Sequence, residues 1–368
     1  MNFTTDREKL LGPLQLACGV VERKQTAPIL SNLLLDVREN SLTIVGCDEE
    51  VEISLLISDI DVESGGAVTV PARKLMDICR SLTDSMPLTA KRDGNRVQID
   101  SGRFTSSLAS LPPDQFPSIE PAEATFSVEM LTKQLRWLLK RTSFAMAQQD
   151  VRYFFNGTLF EISDGRVHVV ATNGQRLASC YLEVGDHTER DQFIVPRKAI
   201  AEIARLIASL DDEVTLRLDF TSNHMTVDVP GARLVTKLID ATYPDYSRAI
   251  PLDGDKVMLV DRQTLKDALS RTAILSNELY RNVRLILLQD RLDMHTNNPQ
   301  QEEAEETLIV SYSGESVEIG FNVSYLIEAL SAMAGSQVRM TFSDSSSACL
   351  LEDVDEKECL YVISPMML

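Results

Sequence analysis

The stretch VPARKLMDICRSL at residues 70–82 returns as VPRKAIAEIARLI from residue 195 and, more loosely, as FNVSYLIEALSAM from residue 321. The offsets, 125 and then 126, divide a chain of 368 residues into thirds. A solenoid repeat spans roughly 20–50 residues, so the unit repeated here is a whole domain. Without gaps, Val70-Pro71 lies over Val195-Pro196, Leu75 over Ile200, Asp77 over Glu202, Ile78 over Ile203, Arg80 over Arg205 and Leu82 over Ile207. The third copy keeps Leu326, Glu328 and Leu330 but has Ser331 where the others have arginine. Apolar positions 75, 78, 79 and 82 share one face of a helix. The proline suits the first turn of that helix, and the residue before it can belong to a strand.

Other landmarks keep the same spacing. An amphipathic segment opens each third: REKLLGPLQLACGVV from 7, KQLRWLLKRTSFAMA from 133 and RQTLKDALSRTAIL from 262. Short alternating strands follow, with ENS, DGR and QDR as hairpin turns between them. A proline closes each third, in FPSI, YPDY and SPMM. Each third therefore reads helix, strand hairpin, strands, helix, strands. This is an α+β class of three homologous domains, with boundaries expected at 1–122, 123–250 and 251–368.

Hydrophobic residues make up 44% of the chain and charged residues 25%, enough for an ordinary core in each domain. Net charge is −19, which by itself opposes a nucleic-acid partner, because affinity for DNA comes mainly from neutralising phosphates. The distribution argues differently. Arg73, Lys74, Arg80, Arg136, Lys140, Arg141, Arg197, Lys198, Arg205, Lys266 and Arg271 all fall on the repeated helices. On one helix alone such residues would read as a solvated face. Repeated domains packed head to tail, however, close into a ring if the rotation closes. Those helices would then give an acidic shell a basic lining.

No apolar run is long enough to cross a membrane, and MNFTTDREKLLGPL lacks the apolar stretch of a signal peptide, so a cytosolic protein is expected. Six cysteines (Cys18, Cys47, Cys79, Cys180, Cys349, Cys359) are scattered without a CxxC pair and far in sequence from the four histidines. They are expected to be small, buried, unpaired residues of a reducing compartment, with no metal site. No P-loop, GxSxG or HExxH is present, so neither catalytic residues nor a cofactor are expected. Asp48-Glu49-Glu50 and Asp344 with its serines read as turn and strand-end residues.

Over its whole length the chain resembles the bacterial DNA polymerase III beta subunit, the sliding clamp, and gammaproteobacterial members most of all. The resemblance rests on FTTDREKLLGPLQL, APILSNLLL, TVPARKLMDICRSL, SFAMAQQDVRYFFNG, VPRKAIAEIARL, TAILSNELYRNVRL, NNPQQEEAEE, EIGFNVSYLIEAL and YVISPMML. It implies two chains in a closed ring, each with three DNA-clamp (processivity-fold) domains, helices inside and sheets outside. The implied role is to encircle duplex DNA without sequence preference and to tether the polymerase for processive synthesis. Catalysis would belong to the holoenzyme, and the location would be cytoplasmic and nucleoid-associated. Implied partners are a second copy, DNA, the polymerase III catalytic subunit, the clamp loader, translesion polymerases, and mismatch-repair and ligase proteins carrying short linear motifs.

Residues carry over by position. Lys24, Gln149 and Tyr153 match DNA contacts, and Arg73, Lys74, Arg80, Arg197, Lys198 and Arg205 join them from the repeated helices. A peptide pocket between the second and third domains is implied at Phe155, Thr172, Gly174, Gln175, Arg176, Leu177, Pro244, Arg248, Ala249, Val362, Ile363, Ser364, Pro365, Met366 and Met367. The implied contact between chains joins Lys74, Arg96, Arg103 and Leu108 to Ile274, Leu275, Glu302, Glu303, Glu305 and Glu306. The chain departs from the family pattern at Phe154, Phe155, Asn173, Gln175 and Met367, and at Thr105 and Ser106, where arginine and phenylalanine are usual. These departures motivate two expectations: a weaker or rearranged contact between chains, and, as the alternative function, a divergent clamp paralogue with altered peptide preference. A peptide-binding scaffold without DNA would have lost the basic helix positions, which are mostly kept.

Overall fold

The computed structural model describes residues 1–22, 27–83, 86–120, 122–185 and 190–367. The first third runs β1 (Asn2–Asp6), α1 (Arg7–Val20), β2 (Asn32–Arg38), β3 (Ser41–Cys47), β4 (Val51–Ile57), β5 (Asp61–Ser64), β6 (Gly66–Pro71), α2 (Ala72–Ser81), β7 (Pro87–Asp93), β8 (Arg96–Ser101) and β9 (Phe104–Ala109). The second runs β10 (Phe126–Leu131), α3 (Thr132–Thr142), β11 (Gly157–Ser163), β12 (Arg166–Thr172), β13 (Arg176–Glu183), β14 (Asp191–Pro196), α4 (Arg197–Ile207), β15 (Thr215–Phe220), β16 (His224–Val229) and β17 (Ala232–Lys237). The third runs β18 (Lys256–Asp261), α5 (Arg262–Thr272), β19 (Asn282–Leu288), β20 (Arg291–Asn297), β21 (Glu303–Ile309), β22 (Val317–Asn322), α6 (Val323–Ala332), β23 (Gln337–Phe342), β24 (Cys349–Asp353) and β25 (Cys359–Ile363).

The repeated phrase is a strand running straight into a helix. Pro71 and Pro196 close β6 and β14, and α2 and α4 begin at the next residue. In the third copy Asn322 takes that place and caps α6, its side chain accepting from Ser324 N at 3.0 Å. On α2, Ala72, Leu75 and Cys79 are buried while Arg73, Lys74, Asp77 and Arg80 are exposed, as the periodicity predicts. The three expected hairpin turns carry Glu39, Asp164 and Asp290 in one left-handed conformation, with φ of 49°, 51° and 53°. Only a few non-glycine residues tolerate that region, and all three stand at the same position of the repeat.

The chain forms two compact units, Met1–Lys133 with Lys198–Leu238, and Gln134–Arg197 with Ile239–Leu368. The central third is divided between them because its strands pair in two directions. In the first unit an eight-stranded antiparallel sheet has the order β10-β15-β16-β17-β4-β3-β2-β6, beside a five-stranded sheet β5-β1-β7-β8-β9. In the second unit the eight strands run β14-β11-β12-β13-β25-β24-β23-β18, beside a four-stranded sheet β21-β20-β19-β22. Each eight-stranded sheet is thus two four-stranded halves from different thirds. In the first unit the joint is β17 to β4, from Ala232↔Leu55 to Thr236↔Val51. In the second it is β13 to β25, from Arg176↔Ile363 to Cys180↔Cys359.

That last pair corrects one expectation. Cys180 and Cys359 are 179 residues apart in sequence, yet the register makes them direct cross-strand partners, and they form a disulfide. Spacing along the chain carries no sign of it. Cys18, Cys47, Cys79 and Cys349 are buried free thiols, and burial pushes Cys18 and Cys47 up to about 11 and Cys79 to about 12.

In the first unit α1 lies on β3 and β4, burying Leu10, Leu14 and Ala17. Gly46 permits the approach: a Cβ there would sit 2.6 Å from the Ala17 carbonyl oxygen. No helix among the described residues is long and apolar enough to cross a membrane.

Candidate functional site

One face of the β11–β14 and β25 ladder is apolar at one end. Leu159, Val170, Leu177, Ile194, Tyr243 and Val362 form a buried cluster there. A cavity of about 460 Å³ opens above it, lined by Phe155, Thr172, Gly174, Gln175, Arg176, Leu177, Pro244, Asp245, Tyr246, Arg248, Ala249, Ala348, Val362 and Ser364. All lie within the second unit.

Two tight turns make its rim. The turn from β12 to β13 is held by its own side chains: Thr172 Oγ1 donates to Arg176 O at 2.6 Å, and Asn173 Oδ1 accepts from Gln175 N at 2.9 Å and Arg176 N at 3.0 Å. Gly174 sits at φ +86°, where a side chain is strained, and a Cβ would lie 3.0 Å from Arg152 Nη1. Ser364 N donates to Gln175 O at 2.8 Å, which draws the C-terminal segment against the turn. Behind it, Arg176 reaches α6: it forms an ion pair with Glu328, lies over the Tyr325 ring at 4.4 Å and donates Nη2 to Phe144 O at 2.5 Å. The second turn, Tyr246–Ala249, follows Asp245, whose carboxylate accepts from Ser247 Oγ at 2.6 Å and from Arg248 Nε at 3.1 Å. The hydrogen bonds from Ser247, and then that from Arg248, hold the Asp245 carboxyl below its usual range.

Four residues expected in the pocket are not among its lining. Ile363 is buried on the opposite face, as strand alternation after Val362 requires. Met366 N donates to Gly320 O at 2.8 Å, pulling the chain toward β22, and Pro365 does not line the cavity. Met367 is fully exposed. Asp245, Tyr246 and Ala348 line the cavity without having been foreseen. The PDY that follows Tyr243 was the available signal for the first two; Ala348 reaches the cavity only through sheet pairing.

The basic candidates separate by environment. In the first unit Arg73, Lys74 and Arg80 stand exposed on α2. Lys198 instead forms ion pairs with Asp48 and, at 2.9 Å, with Glu22, and Arg205 pairs with the buried Glu202 at 2.5 Å. Burial pushes the Glu202 carboxyl up, and the nearby Arg205 charge only partly offsets it. In the second unit Arg197 donates to the Met146 and Ala147 carbonyls at 3.1 and 3.3 Å. Gln149 and Tyr153 are exposed on the segment before β11. Lys24 lies outside the described residues.

The candidates for contact between chains gather at two sheet edges. β9 ends the five-stranded sheet, with Arg96 and Arg103 beside it; Arg96 is bound to Ser107 Oγ at 2.6 Å. Thr105 is exposed, Leu108 is buried, and Phe104 is 39% exposed. β21 ends the four-stranded sheet and carries Glu303, Glu305 and Glu306. Its acids are partly engaged within the unit: Glu306 with Arg271, Glu305 with His295 at 2.9 Å, and Glu302 with Asn298 at 2.6 Å. Nearby Ile274 is exposed and Leu275 half-buried.

Three family descriptions cover almost the whole chain: the DNA polymerase III beta subunit N-terminal domain at residues 1–120, its central domain at 129–245 and its C-terminal domain at 247–367. A curated beta sliding clamp of Pseudomonas aeruginosa is 46% identical over the full length of both chains, and that of Escherichia coli K12 is 40% identical, again over both full lengths. A solved Pseudomonas aeruginosa sliding clamp bound to griselimycin superimposes over the whole of both chains with a TM-score of 0.96 at 44% identity.

Proposed function

Because the chain belongs to the DNA polymerase III beta-subunit family, the sliding clamps, we propose that two copies close head to tail around duplex DNA and hold polymerase there through the cavity described above. It is a sliding clamp that serves DNA replication. Its three domains, taken at 1–122, 123–250 and 251–368, act as one tether and carry out no chemistry themselves. The work is done in the cytoplasm, at the nucleoid.

The pattern of joints carries this reading. Within each unit the joint unites a β4-type strand with a β17-type strand: β4 with β17, and β13 with β25. By position in the repeat the next members are β21 and β9, and both are sheet edges. An edge with unpaired backbone groups is a template for strand addition. Arg96 and Arg103 beside one edge and the glutamates of the other make the pairing charge-complementary. Topology then retains the DNA, so a weak, sequence-independent attraction from exposed cations such as Arg73, Lys74 and Arg80 suffices.

The cavity suits short peptides from several partners: an apolar floor, a few oriented polar groups and a rim of two turns. Light scattering across a dilution series tests the ring. A dimer surviving to nanomolar concentration supports it, and a monomer at micromolar concentration refutes it. Griselimycin tests the cavity, since it binds a relative at 44% identity. Leu177→Arg, which places a charge on the floor, should abolish its binding.

A further inference from the structure

The face that floors the cavity does not stay apolar along its length. Leu159 pairs across the sheet with Val170 and Ile194, all in the apolar floor. Two residues on, and so on the same face, Glu161 pairs with His168 and Gln192. Glu161 is only 5% exposed, and a carboxylate that dry requires donors. It has three. Arg190 donates Nε at 3.0 Å and Nη2 at 2.7 Å, and Gln192 donates Nε2 at 2.5 Å, all to Oε2. The Tyr246 hydroxyl donates to Oε1 at 3.1 Å. Burial pushes the carboxyl up, but the bonds from Gln192 and Arg190 outweigh it and hold the group below its usual range.

Tyr246 is the first residue of the turn Tyr246–Ala249, which brings Arg248 and Ala249 to the cavity. Its ring packs on the apolar floor while its hydroxyl reaches the carboxylate. The bonds from Ser247 and Arg248 to Asp245 are internal to the turn and its flank. They shape the turn without fixing where it stands over the sheet.

We infer that Glu161, oriented by Arg190 and Gln192, is a positioning residue for peptide recognition: through the Tyr246 hydroxyl it sets the height and tilt of one wall of the cavity. The inference rests on the reading of the cavity as the peptide site. Glu161 touches no ligand. It works by holding a turn that would otherwise sample several positions, and a wall already in place spares the ligand the cost of ordering it.

Tyr246→Phe removes only the hydroxyl and keeps the ring. Griselimycin binding to the full chain is measured by calorimetry for the wild type, Tyr246→Phe, Glu161→Ala and the double variant, with amide exchange at Ser247–Ile250 as the local readout. Tyr246→Phe should bind about tenfold more weakly. Amide exchange in the turn should quicken while that of Val170 in the floor stays as in the wild type, a split that a general loss of stability would not produce. The double variant should be no worse than Glu161→Ala. Should Glu161→Ala fail to fold, Arg190→Gln replaces it; it alters a largely exposed side chain and should weaken binding about threefold. Tyr246→Phe binding within twofold of the wild type, or additive losses in the double variant, overturns this inference alone. Absence of binding by the wild type overturns the reading of the cavity, and the inference with it.

Discussion

Arg141 on α3 is a test of how this fold handles a buried charge. Its side chain is 4% exposed, and it donates Nε and Nη2 to the two oxygens of Glu356 at 3.0 and 2.7 Å. Glu356 lies in the turn between β24 and β25, the strand that brings Val362 to the cavity. Trp137 Nε1 donates to the same carboxylate at 3.3 Å. Glu356→Ala would leave the guanidinium buried without its counter-charge. Removing one partner of a fully buried pair costs about 3–5 kcal/mol. Glu356 is 23% exposed, so water can reach the stranded charge, and a cost of about 2–3 kcal/mol is expected. Trp137 is the only tryptophan in the chain, so urea unfolding followed by its fluorescence reports on this unit. With a slope of about 2 kcal/mol per molar urea, the midpoint should fall by about 1–1.5 M. Arg141→Met removes the charge and keeps much of the volume, so it should cost less. The reasoning is refuted if Glu356→Ala moves the midpoint by less than about 0.5 M, or if Arg141→Met proves the more damaging change.

Gly46→Ala should push α1 off the sheet and cost about 1–3 kcal/mol in a melting experiment, since the added carbon meets backbone rather than a side chain that can yield. Thiol titration of the unfolded chain should find four thiols per chain without reductant and six with it, and six in both cases would refute the Cys180–Cys359 bond. Asp344 accepts backbone and hydroxyl bonds from Ser346 and Ser347 that hold its carboxyl down at about 2. A depressed folded pKa stabilises above the ordinary aspartate range and loses that contribution as pH falls through about 4 toward 2. Thermal melts of Asp344→Asn should therefore show a shallower decline over that interval than the wild type. Replacing Arg73, Lys74 and Arg80 with alanine removes about six cations from a ring of two copies and should flatten the salt dependence of DNA binding by up to about five units of log–log slope, whereas Lys198→Ala should do little to it because Lys198 is already neutralised by Glu22 and Asp48.

The secondary structure was largely legible because it is local and written three times. The spacing of Leu75, Cys79 and their counterparts marks one helix per third, and ENS, DGR and QDR mark three turns that share a left-handed residue at one position. What could not be read was partnership across the chain. Nothing in the alternation of β17 announces that it will pair with β4, or in that of β13 that it will pair with β25, because each strand has a suitable pattern for many neighbours. The disulfide escaped for the same reason. At the cavity, the turn ATNGQRL was legible as a turn, and family resemblance marked its role. Tyr246 was hidden because its significance lies in a bond to Glu161, 85 positions earlier. Charge, too, was legible as composition but not as availability: Lys198, Arg197 and Glu306 looked free in the sequence and are each engaged within their unit.

The repeated joints also bear on the order in which the thirds are linked. β4, β13 and β21 hold one position in the repeat, and β17, β25 and β9 the complementary one. A contact between copies made by the third pair would differ from the two internal joints only in being unlinked. A permuted chain that starts at the central third and ends with the first would offer different free edges, yet assemble the same closed object. Two copies fused end to end would close on themselves as a monomer.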